Sequence, residues 1–292
     1  MSSHRRPDEA QVTVVVATHN RWADLENSLP HHTCPTIVVD NGSTDGTARF
    51  VRQAFPHIEV IELGKNLGAQ ARNVGAMESA TPYVAFADDD SWWAPGALER
   101  AAAILTACPR LAVLAARLLI GPDERPDPVC AHMERSPLPP ELDLPGNSVL
   151  GFLACAAVIR RDAFLSVGGF DKVVFFCGEE ERVALDLAAA GWGLAYVSDV
   201  VAHHYPSPAR DPSGRHVLAA RNAFLTTLLR RPWPVVAAAL LQLIDGDTVG
   251  RRALAAALPR MPLAIKHRRM LPPAVEAARQ LLDAPLPATQ SQ

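Results

Sequence analysis

Largely apolar, strand-like segments alternate with helix-like segments through the first third of the chain, and this alternation constrains the fold most. The apolar segments are residues 12–17, 36–39, 58–63 and 83–87. Nearly continuous apolar runs such as residues 12–17 and 36–39 are typical of strands that are buried on both faces of a sheet. Their alternation with helices predicts an α/β fold with a mostly parallel, Rossmann-like sheet flanked by helices. Ligands bind such sheets at the carboxyl ends of the strands.

The last quarter of the chain differs from the rest in its residue pattern and in its charge. A turn-rich segment at residues 206–214 precedes helical stretches that prolines interrupt. From residue 216 onward there are ten Lys or Arg and four Asp or Glu, a local net charge of +6 in a chain of net charge −3. We predict an α/β domain at residues 10–207 and a helical, basic C-terminal extension at residues 216–292. The overall charge disfavours general nucleic-acid binding.

Two interpretations of the extension remain open. Its helices could pack on the α/β domain, or a basic amphipathic surface could lie on an anionic membrane. In the second case the residues that meet lipid phosphates would be Arg230, Arg231, Arg268 and Arg269. The apolar stretch at residues 233–244 is too short to cross a bilayer unaided.

The N-terminal segment and the cysteines indicate the compartment. Residues 1–10 are polar and lack the apolar region of a secretory signal. The five cysteines are odd in number and widely spaced, which favours reduced thiols. We expect a cytoplasmic protein that at most associates peripherally with the inner face of the cytoplasmic membrane.

Three consecutive aspartates, Asp88, Asp89 and Asp90, follow the fourth predicted strand directly. Neighbouring carboxylates repel one another, and a hard divalent cation with oxygen ligands offsets that repulsion. Strand-like alternation would direct Asp88 and Asp90 to one side and Asp89 to the other. The cluster therefore predicts a Mn²⁺ or Mg²⁺ site, with a solvated, helix-capping turn as the alternative.

Polar loops follow the first three strands and would lie side by side at the same edge of the sheet. The candidate ligand-binding residues in these loops are Thr18, Asn20, Arg21, Asp40, Asn41, Gly42, Asn66, Gly68 and Arg72. Asp40 suits a base or ribose, although an Asx turn would also explain it. Arg72 could reach a base or phosphate, or could be a surface charge on a helix. These loops contain neither G-x-G-x-x-G nor a P-loop, which disfavours NAD binding and ATP hydrolysis.

The motifs, taken in order, resemble glycosyltransferase family 2, whose members have the GT-A fold. The matching segments are residues 18–21, 40–45, 66–73, 88–90 and 168–171. The resemblance spans roughly residues 10–205, and the order and spacing of the motifs carry its specificity. It implies an inverting enzyme that moves a sugar from a UDP- or dTDP-sugar to a hydroxyl of a glycan or polyprenyl-linked acceptor. Rhamnosyltransferase-like members offer the nearest likeness.

The same resemblance implies roles for individual residues on the donor side. It places Asp40 and Arg72 at the nucleobase and Asp88 near the ribose. Asp89 belongs with these donor-binding residues, and Thr18 lines the nucleotide pocket. Asp90, with Asp88, would bind the metal that bridges the diphosphate.

A histidine pair, His203 and His204, closes the strand predicted near residues 194–201. In related enzymes a histidine at this place completes the metal site. By spacing, His203 fits that role better than His204. A packed or surface histidine is the alternative for both residues.

Three glutamates, Glu179, Glu180 and Glu181, begin a predicted helix. The family has a Glu-Asp pair here, and its second acid is the catalytic base. Alignment from Gly191 gives Glu179 the Glu place and Glu180 the place of the base. Which of the three is the base stays open, and acids also favour a helix N-terminus for its dipole alone.

The same residues also allow two alternative functions to be weighed. A sugar nucleotidyltransferase would need a glycine-rich loop after the first strand, and residues 17–22 contain no glycine. A non-catalytic nucleotide-sugar binding protein would not need both the aspartate cluster and the glutamates. The sequence therefore favours a metal-dependent glycosyltransferase.

Overall fold

The computed structural model describes residues 10–206 and 212–283. Its strands are β1 (Val12–Thr18), β2 (Thr36–Asp40), β3 (Glu59–Glu62), β4 (Tyr83–Ala87), β5 (Ser91–Trp93), β6 (Leu111–Ile120), β7 (Arg125–Pro126), β8 (Asn147–Ser148), β9 (Ala157–Arg160) and β10 (Gly193–His204). Its α-helices are α1 (Trp22–Ser28), α2 (Thr47–Ala54), α3 (Gln70–Glu78), α4 (Ala97–Ala107), α5 (Pro128–Glu134), α6 (Arg161–Ser166), α7 (Glu180–Ala189), α8 (Pro212–Arg230), α9 (Trp233–Asp245), α10 (Thr248–Ala257), α11 (Met261–Lys266) and α12 (Pro273–Asp283).

These strands form one sheet in the order β3-β2-β1-β4-β9-β6-β10-β5, with β7 on β6 and β8 on β10. The first four strands in this order are mutually parallel, and Thr18 of β1 lies opposite Asp40 of β2. In the second half β9 is antiparallel to both β4 and β6, whereas β10 is parallel to β6. The predicted α/β sheet is confirmed, and its parallel part is the half whose strand ends carry the polar loops.

The close approach of α3 to the sheet positions the first polar side chains. Gly75 on α3 lies against β1, and a Cβ there would be 2.4 Å from Cγ1 of Val15. Val14, Val15 and Val16 are fully buried beneath this helix and its neighbours. Because Gly75 has no side chain, α3 packs directly on the strands. Arg72, one turn earlier, is thereby brought to the carboxyl edge.

Two segments differ from the sequence prediction. Residues 121–145, expected to be a mobile loop, contain β7 and α5, and Asp127 caps α5 by accepting from the Val129 amide at 2.8 Å. The loop prediction was wrong because Cys130 and Met133 of α5 are buried in the main core. The segment after the aspartates forms β5, which pairs antiparallel with the end of β10.

The C-terminal helices share a core with the α/β part. Phe224, Leu225 and Leu228 of α8 are buried together with Val173 and Val174. The predicted boundary near residue 207 falls at residues 207–211, outside the described residues. The helical character of the extension is confirmed as far as residue 283. All five cysteines lie in the described part, and none forms a disulfide.

Several basic residues of the extension point inward. Arg230 forms a two-point ion pair with Asp186 of α7. Arg231 pairs with Glu276 at 2.8 Å and with Asp283 at 2.7 Å. The prediction that Arg230 and Arg231 meet lipid phosphates was wrong, because buried charges need partners and these two find acids within the protein.

Arg268 is also turned toward the protein. It donates to the carbonyls of Leu228 and Arg231 and stacks over Trp233, with its guanidinium carbon 4.2 Å from the ring centroid. Of the four arginines assigned to lipid contact, Arg269 is the exposed one. Within residues 10–206 and 212–283, no helix combines the length and apolarity that a membrane span requires.

Candidate active site

Asparagine side chains join the three loops at the carboxyl edge. Asn41 donates to the Gly68 carbonyl at 3.0 Å and accepts from the Leu67 amide at 2.7 Å. Asn20 has a φ of 55° and accepts from the Thr44 amide at 2.8 Å. These bonds fix the loops after β1, β2 and β3 relative to one another, which preorganises a binding site.

Two glycines permit close backbone approaches at this edge. Gly68 has a φ of +61°, and a Cβ on it would lie 2.4 Å from the carbonyl oxygen of Phe175. Gly42, with a φ of +80°, would place a Cβ 2.7 Å from the Lys65 backbone. Both conformations favour glycine. Gly68 therefore joins the nucleotide side of the sheet to the segment that precedes the glutamates.

A cavity of about 420 Å³ opens over these loops. Eight of the eleven predicted donor-binding residues line it: Thr18, Arg21, Asn41, Asn66, Gly68, Arg72, Asp88 and Asp89. Asn20, Asp40 and Gly42 are not among its described lining residues. The buried Asp40 carboxylate accepts from the Ser43 amide at 2.6 Å, so the Asx-turn interpretation describes this contact. Sequence reasoning missed His19, Phe175, Phe176, Arg215 and Leu218, which also line the cavity.

The aspartates divide as strand alternation predicts. Asp88 and Asp90 lie with His204 so that one possible ligand atom from each falls within 4.8 Å of the others. Asp89 turns away to Thr18, whose hydroxyl donates to its carboxylate at 3.4 Å. Burial, together with repulsion from Asp88 and Asp90, raises the pKa of Asp89 to about 8.

The structure brings His204, rather than His203, to the aspartates. His204 Nε2 lies 3.1 Å from Asp90 Oδ1. His203 Nδ1 instead lies 3.1 Å from Glu124 Oε1. Successive residues of a strand face opposite sides, and the pairing of β10 with β5 sets which side each histidine takes. His204 therefore replaces His203 in the candidate metal-binding group.

This group suits a divalent metal. Two carboxylates and one imidazole are ligands that Mn²⁺ accepts, and carboxylates are those that Mg²⁺ prefers. The Asp88 amide donates to the Ser91 hydroxyl at 2.8 Å, and the Tyr205 amide donates to the Asp90 carbonyl at 2.9 Å. The backbone around the ligands is thus held by both β5 and the chain after β10.

Arg72 is a buried cation between two acids. It forms ion pairs with Asp88 and, at 3.6 Å, with Glu179. Only 5% of the residue is exposed, which excludes the surface-charge alternative. Its contact with a nucleobase stays a prediction. The observed pairs show that Arg72 links the aspartate cluster to the glutamates of α7.

The three glutamates occupy different surroundings. Glu179 is buried, and burial with repulsion from Glu180 raises its pKa to about 8 against the opposing effect of Arg72. Glu180 accepts from the Ala154 amide at 3.3 Å, and burial raises its pKa as well. Glu181 accepts from Nε of Arg279 in α12 at 2.9 Å. Glu181 is therefore committed to an ion pair with the extension.

A second and larger cavity, of about 860 Å³, lies beside these glutamates. Its lining includes Phe152 and Leu153 from the segment before β9 and Leu282 from α12. The two cavities meet at Asp88, which lines both. Two adjoining cavities with a possible metal site where they meet, at the carboxyl edge of an α/β sheet, suit a nucleotide-dependent group transferase.

Comparison with known protein families shows which kind of transferase this is. The model of "Glycosyl transferase family 2" matches residues 13–168, more than half of the chain, and the chain belongs to this family of glycosyltransferases. Among curated relatives, the chain is similar to N-acetylglucosaminyl-diphospho-decaprenol L-rhamnosyltransferase of Mycobacterium tuberculosis. That match is 28% identical over 241 residues and covers 68% of this chain and 78% of the relative. Pre-mycofactocin glycosyltransferase of the same species is 31% identical over 218 residues, covering 70% of this chain and 45% of that protein.

Solved structures agree on the fold. The mannosyltransferase PcManGT of Pyrobaculum calidifontis, solved with GDP-Man and Mn²⁺, aligns with a TM-score of 0.56 and 20% identity. That alignment covers 94% of this chain and 87% of the other. S. aureus TarS 1-349 in complex with UDP-GlcNAc aligns with a TM-score of 0.60 and 17% identity, covering 92% and 83%. The predicted GT-A fold is confirmed.

Proposed function

We propose that this enzyme transfers a sugar, with inversion, from a UDP- or dTDP-sugar to a hydroxyl of a lipid-linked glycan acceptor. The observation that carries the proposal is the meeting of the two cavities at Asp88. Asp88 of the metal-binding group lines both cavities, and His204 of that group lines the larger one together with Glu180. The relative named as an L-rhamnosyltransferase, which is itself named for a diphospho-decaprenol acceptor, makes L-rhamnose the first sugar to test.

Asp88, Asp90 and His204 are the residues that would hold Mn²⁺ or Mg²⁺. A divalent ion bound there would neutralise charge on the departing diphosphate. Asp89 is turned to Thr18 and is excluded from this role, and its raised pKa favours the neutral carboxyl. Thr18, Asn41 and the neighbouring loop residues would hold the nucleoside.

Glu180 is the proposed base. It would accept the proton of the acceptor hydroxyl as the hydroxyl oxygen attacks the anomeric carbon. A base whose pKa is raised toward the working pH suits this role. Glu179 faces Arg72 and Glu181 is held by Arg279, so neither is as available as Glu180. A single base with a single displacement gives inversion of configuration.

A lipid-linked acceptor is consistent with the larger cavity and with one surface patch. Apolar side chains such as Leu150, Phe152 and Leu282 line the cavity. Outside it, Trp233, Ile265 and Met270 are each at least half exposed. Ile265 and Met270 are sequence neighbours of the exposed Lys266 and Arg269, and Arg268 stacks over Trp233. We name Trp233, Ile265, Lys266, Arg269 and Met270 the apolar-basic patch and propose that it contacts the inner face of the cytoplasmic membrane, peripherally.

A donor panel tests the function. UDP-, dTDP- and GDP-sugars, dTDP-L-rhamnose included, would be compared in thermal unfolding and in turnover with a polyprenyl diphosphate-linked N-acetylglucosamine acceptor. A true donor raises the melting temperature by mass action, more strongly with Mn²⁺ than with EDTA. NMR of the product should show the inverted anomer. Stabilisation by no nucleotide sugar, or a product with retained configuration, would contradict the proposal.

A further inference from the structure

Arg215, near the start of α8, lines both cavities. The residues common to the two linings are Arg72, Asp88, Phe176 and Arg215. The proposed function already uses the first two, and Phe176 provides an aromatic wall. Arg215 lies outside the segment that the family model matches. Its guanidinium lies 6.0 Å from the ring centroid of Phe176, and the residue is half-buried.

The charge balance where the cavities meet explains why a second cation is needed. Arg72 is held by ion pairs to Asp88 and Glu179, so its charge is already balanced by acids. Glu180 adds another acidic group to the wall of the larger cavity. A nucleoside diphosphate that enters this region brings further negative charge. A divalent ion held by Asp88, Asp90 and His204 would offset part of this charge, and a further cation would offset more, because unpaired charges in a partly buried site are costly.

We infer that Arg215 binds the diphosphate of the nucleotide-sugar donor, an inference that rests on the proposed function. A guanidinium presents a planar set of donors that matches phosphate oxygens in two-point contacts. In the transfer, the acceptor oxygen forms the bond to the anomeric carbon and passes its proton to Glu180. The bond from that carbon to the diphosphate oxygen breaks, and its electron pair leaves with the diphosphate. Arg215 stabilises the charge that the departing diphosphate gains.

Calorimetry with UDP, dTDP, UMP and dTMP in Mn²⁺ tests this role. For the diphosphate that the wild-type protein binds, Arg215→Ala should weaken affinity about 10- to 100-fold, as expected for loss of a charge-assisted contact. The corresponding monophosphate should lose far less. Arg215→Lys keeps the charge without the planar set of donors, so its affinity should lie between the two. Arg251→Ala removes an exposed arginine of α10 and should bind like the wild type.

The possible results separate the inference from the proposed function. Equal affinity of wild type and Arg215→Ala for the diphosphate, or an equal loss for mono- and diphosphate, would overturn the inference alone. So would an unchanged diphosphate affinity with a raised acceptor KM, which would assign Arg215 to a phosphate of the acceptor. A wild-type protein that binds neither UDP nor dTDP would overturn both. Thermal unfolding of each variant shows whether it is folded.

Discussion

At the residue scale, the site depends on acids whose neighbours give them different chemistry. Glu179, Glu180 and Glu181 all line the larger cavity, yet Glu179 faces a buried arginine, Glu180 accepts from the Ala154 amide and Glu181 is paired with α12. Local environment, rather than residue type, therefore distinguishes the proposed base from its neighbours.

Replacing Glu180 by Gln should abolish transfer while leaving donor binding nearly unchanged. The amide keeps the shape of the side chain but cannot take a proton, and loss of a general base costs roughly 10²- to 10⁴-fold in rate. Stopped-time turnover assays and calorimetry of the nucleotide would measure the two effects. Glu78→Gln, at an exposed position of α3, is the matched control. A comparable loss of nucleotide affinity in Glu180→Gln would show a donor-binding or structural role instead.

Replacing His204 by Ala should remove most of the metal dependence of nucleotide binding. His204 lies with Asp88 and Asp90, whereas His203 lies against Glu124. Titration of UDP or dTDP at a series of Mn²⁺ concentrations should show that His204→Ala needs at least about tenfold more Mn²⁺ than the wild type. Even the loss of residues that only support metal ligands weakens metal affinity by about this factor. His203→Ala is the control and should respond like the wild type. The reverse pattern would return the role to His203.

At the scale of elements, ion pairs connect the C-terminal helices to α7, the helix that carries the proposed base. Arg230 of α8 pairs with Asp186 of α7, and Arg279 of α12 pairs with Glu181. Arg231, which directly follows α8, holds α12 through Glu276. The extension therefore forms part of the wall around the acceptor cavity.

Replacing Glu276 by Ala should destabilise the protein and loosen α12. Arg231 would stay buried with Asp283 as its remaining acid, and an incompletely paired buried charge costs a few kcal/mol. We expect the free energy of unfolding to fall by about 2–3 kcal/mol in urea titrations, below the full cost of an isolated charge. The exposed Glu78→Ala should change it by no more than about 0.5 kcal/mol. No difference between the two variants would mean that Arg231 is solvated in solution.

At the scale of the whole molecule, the apolar-basic patch lies on the extension. Three apolar side chains there are exposed, Trp233 by 55%, Ile265 by 50% and Met270 by 66%. The lining of the acceptor cavity also includes part of the extension. Membrane contact through this patch would bring the enzyme to a lipid-linked acceptor.

The molecule should therefore pellet with anionic vesicles at low salt and be released at high salt. Each basic residue near an anionic surface contributes about 1 kcal/mol, and salt screens it. Lys266→Glu with Arg269→Glu should abolish pelleting. Arg52→Glu, a charge reversal on the α/β part, should not. Equal pelleting with neutral vesicles, or none with either kind, would contradict this surface assignment.

Local sequence patterns were enough to predict the fold class and the loops of the site. Apolar runs such as Val12–Thr18 and Tyr83–Ala87, within an alternation of strand-like and helix-like segments, indicate strands that are buried on both faces. The polar residues that follow each strand must then meet at one edge. The division of Asp89 from Asp88 and Asp90 is also local, since strand geometry alternates side chains.

Only the tertiary structure decided which neighbouring residue takes which role. The choice of His204 over His203 depends on the pairing of β10 with β5, two strands far apart in the chain. The differences among Glu179, Glu180 and Glu181 come from partners far away in the chain, such as Arg72 for Glu179 and Arg279 for Glu181. The inward direction of Arg230 and Arg231 has the same origin, because their acids belong to other helices. Adjacent residues share a local pattern, so only long-range packing can distinguish them.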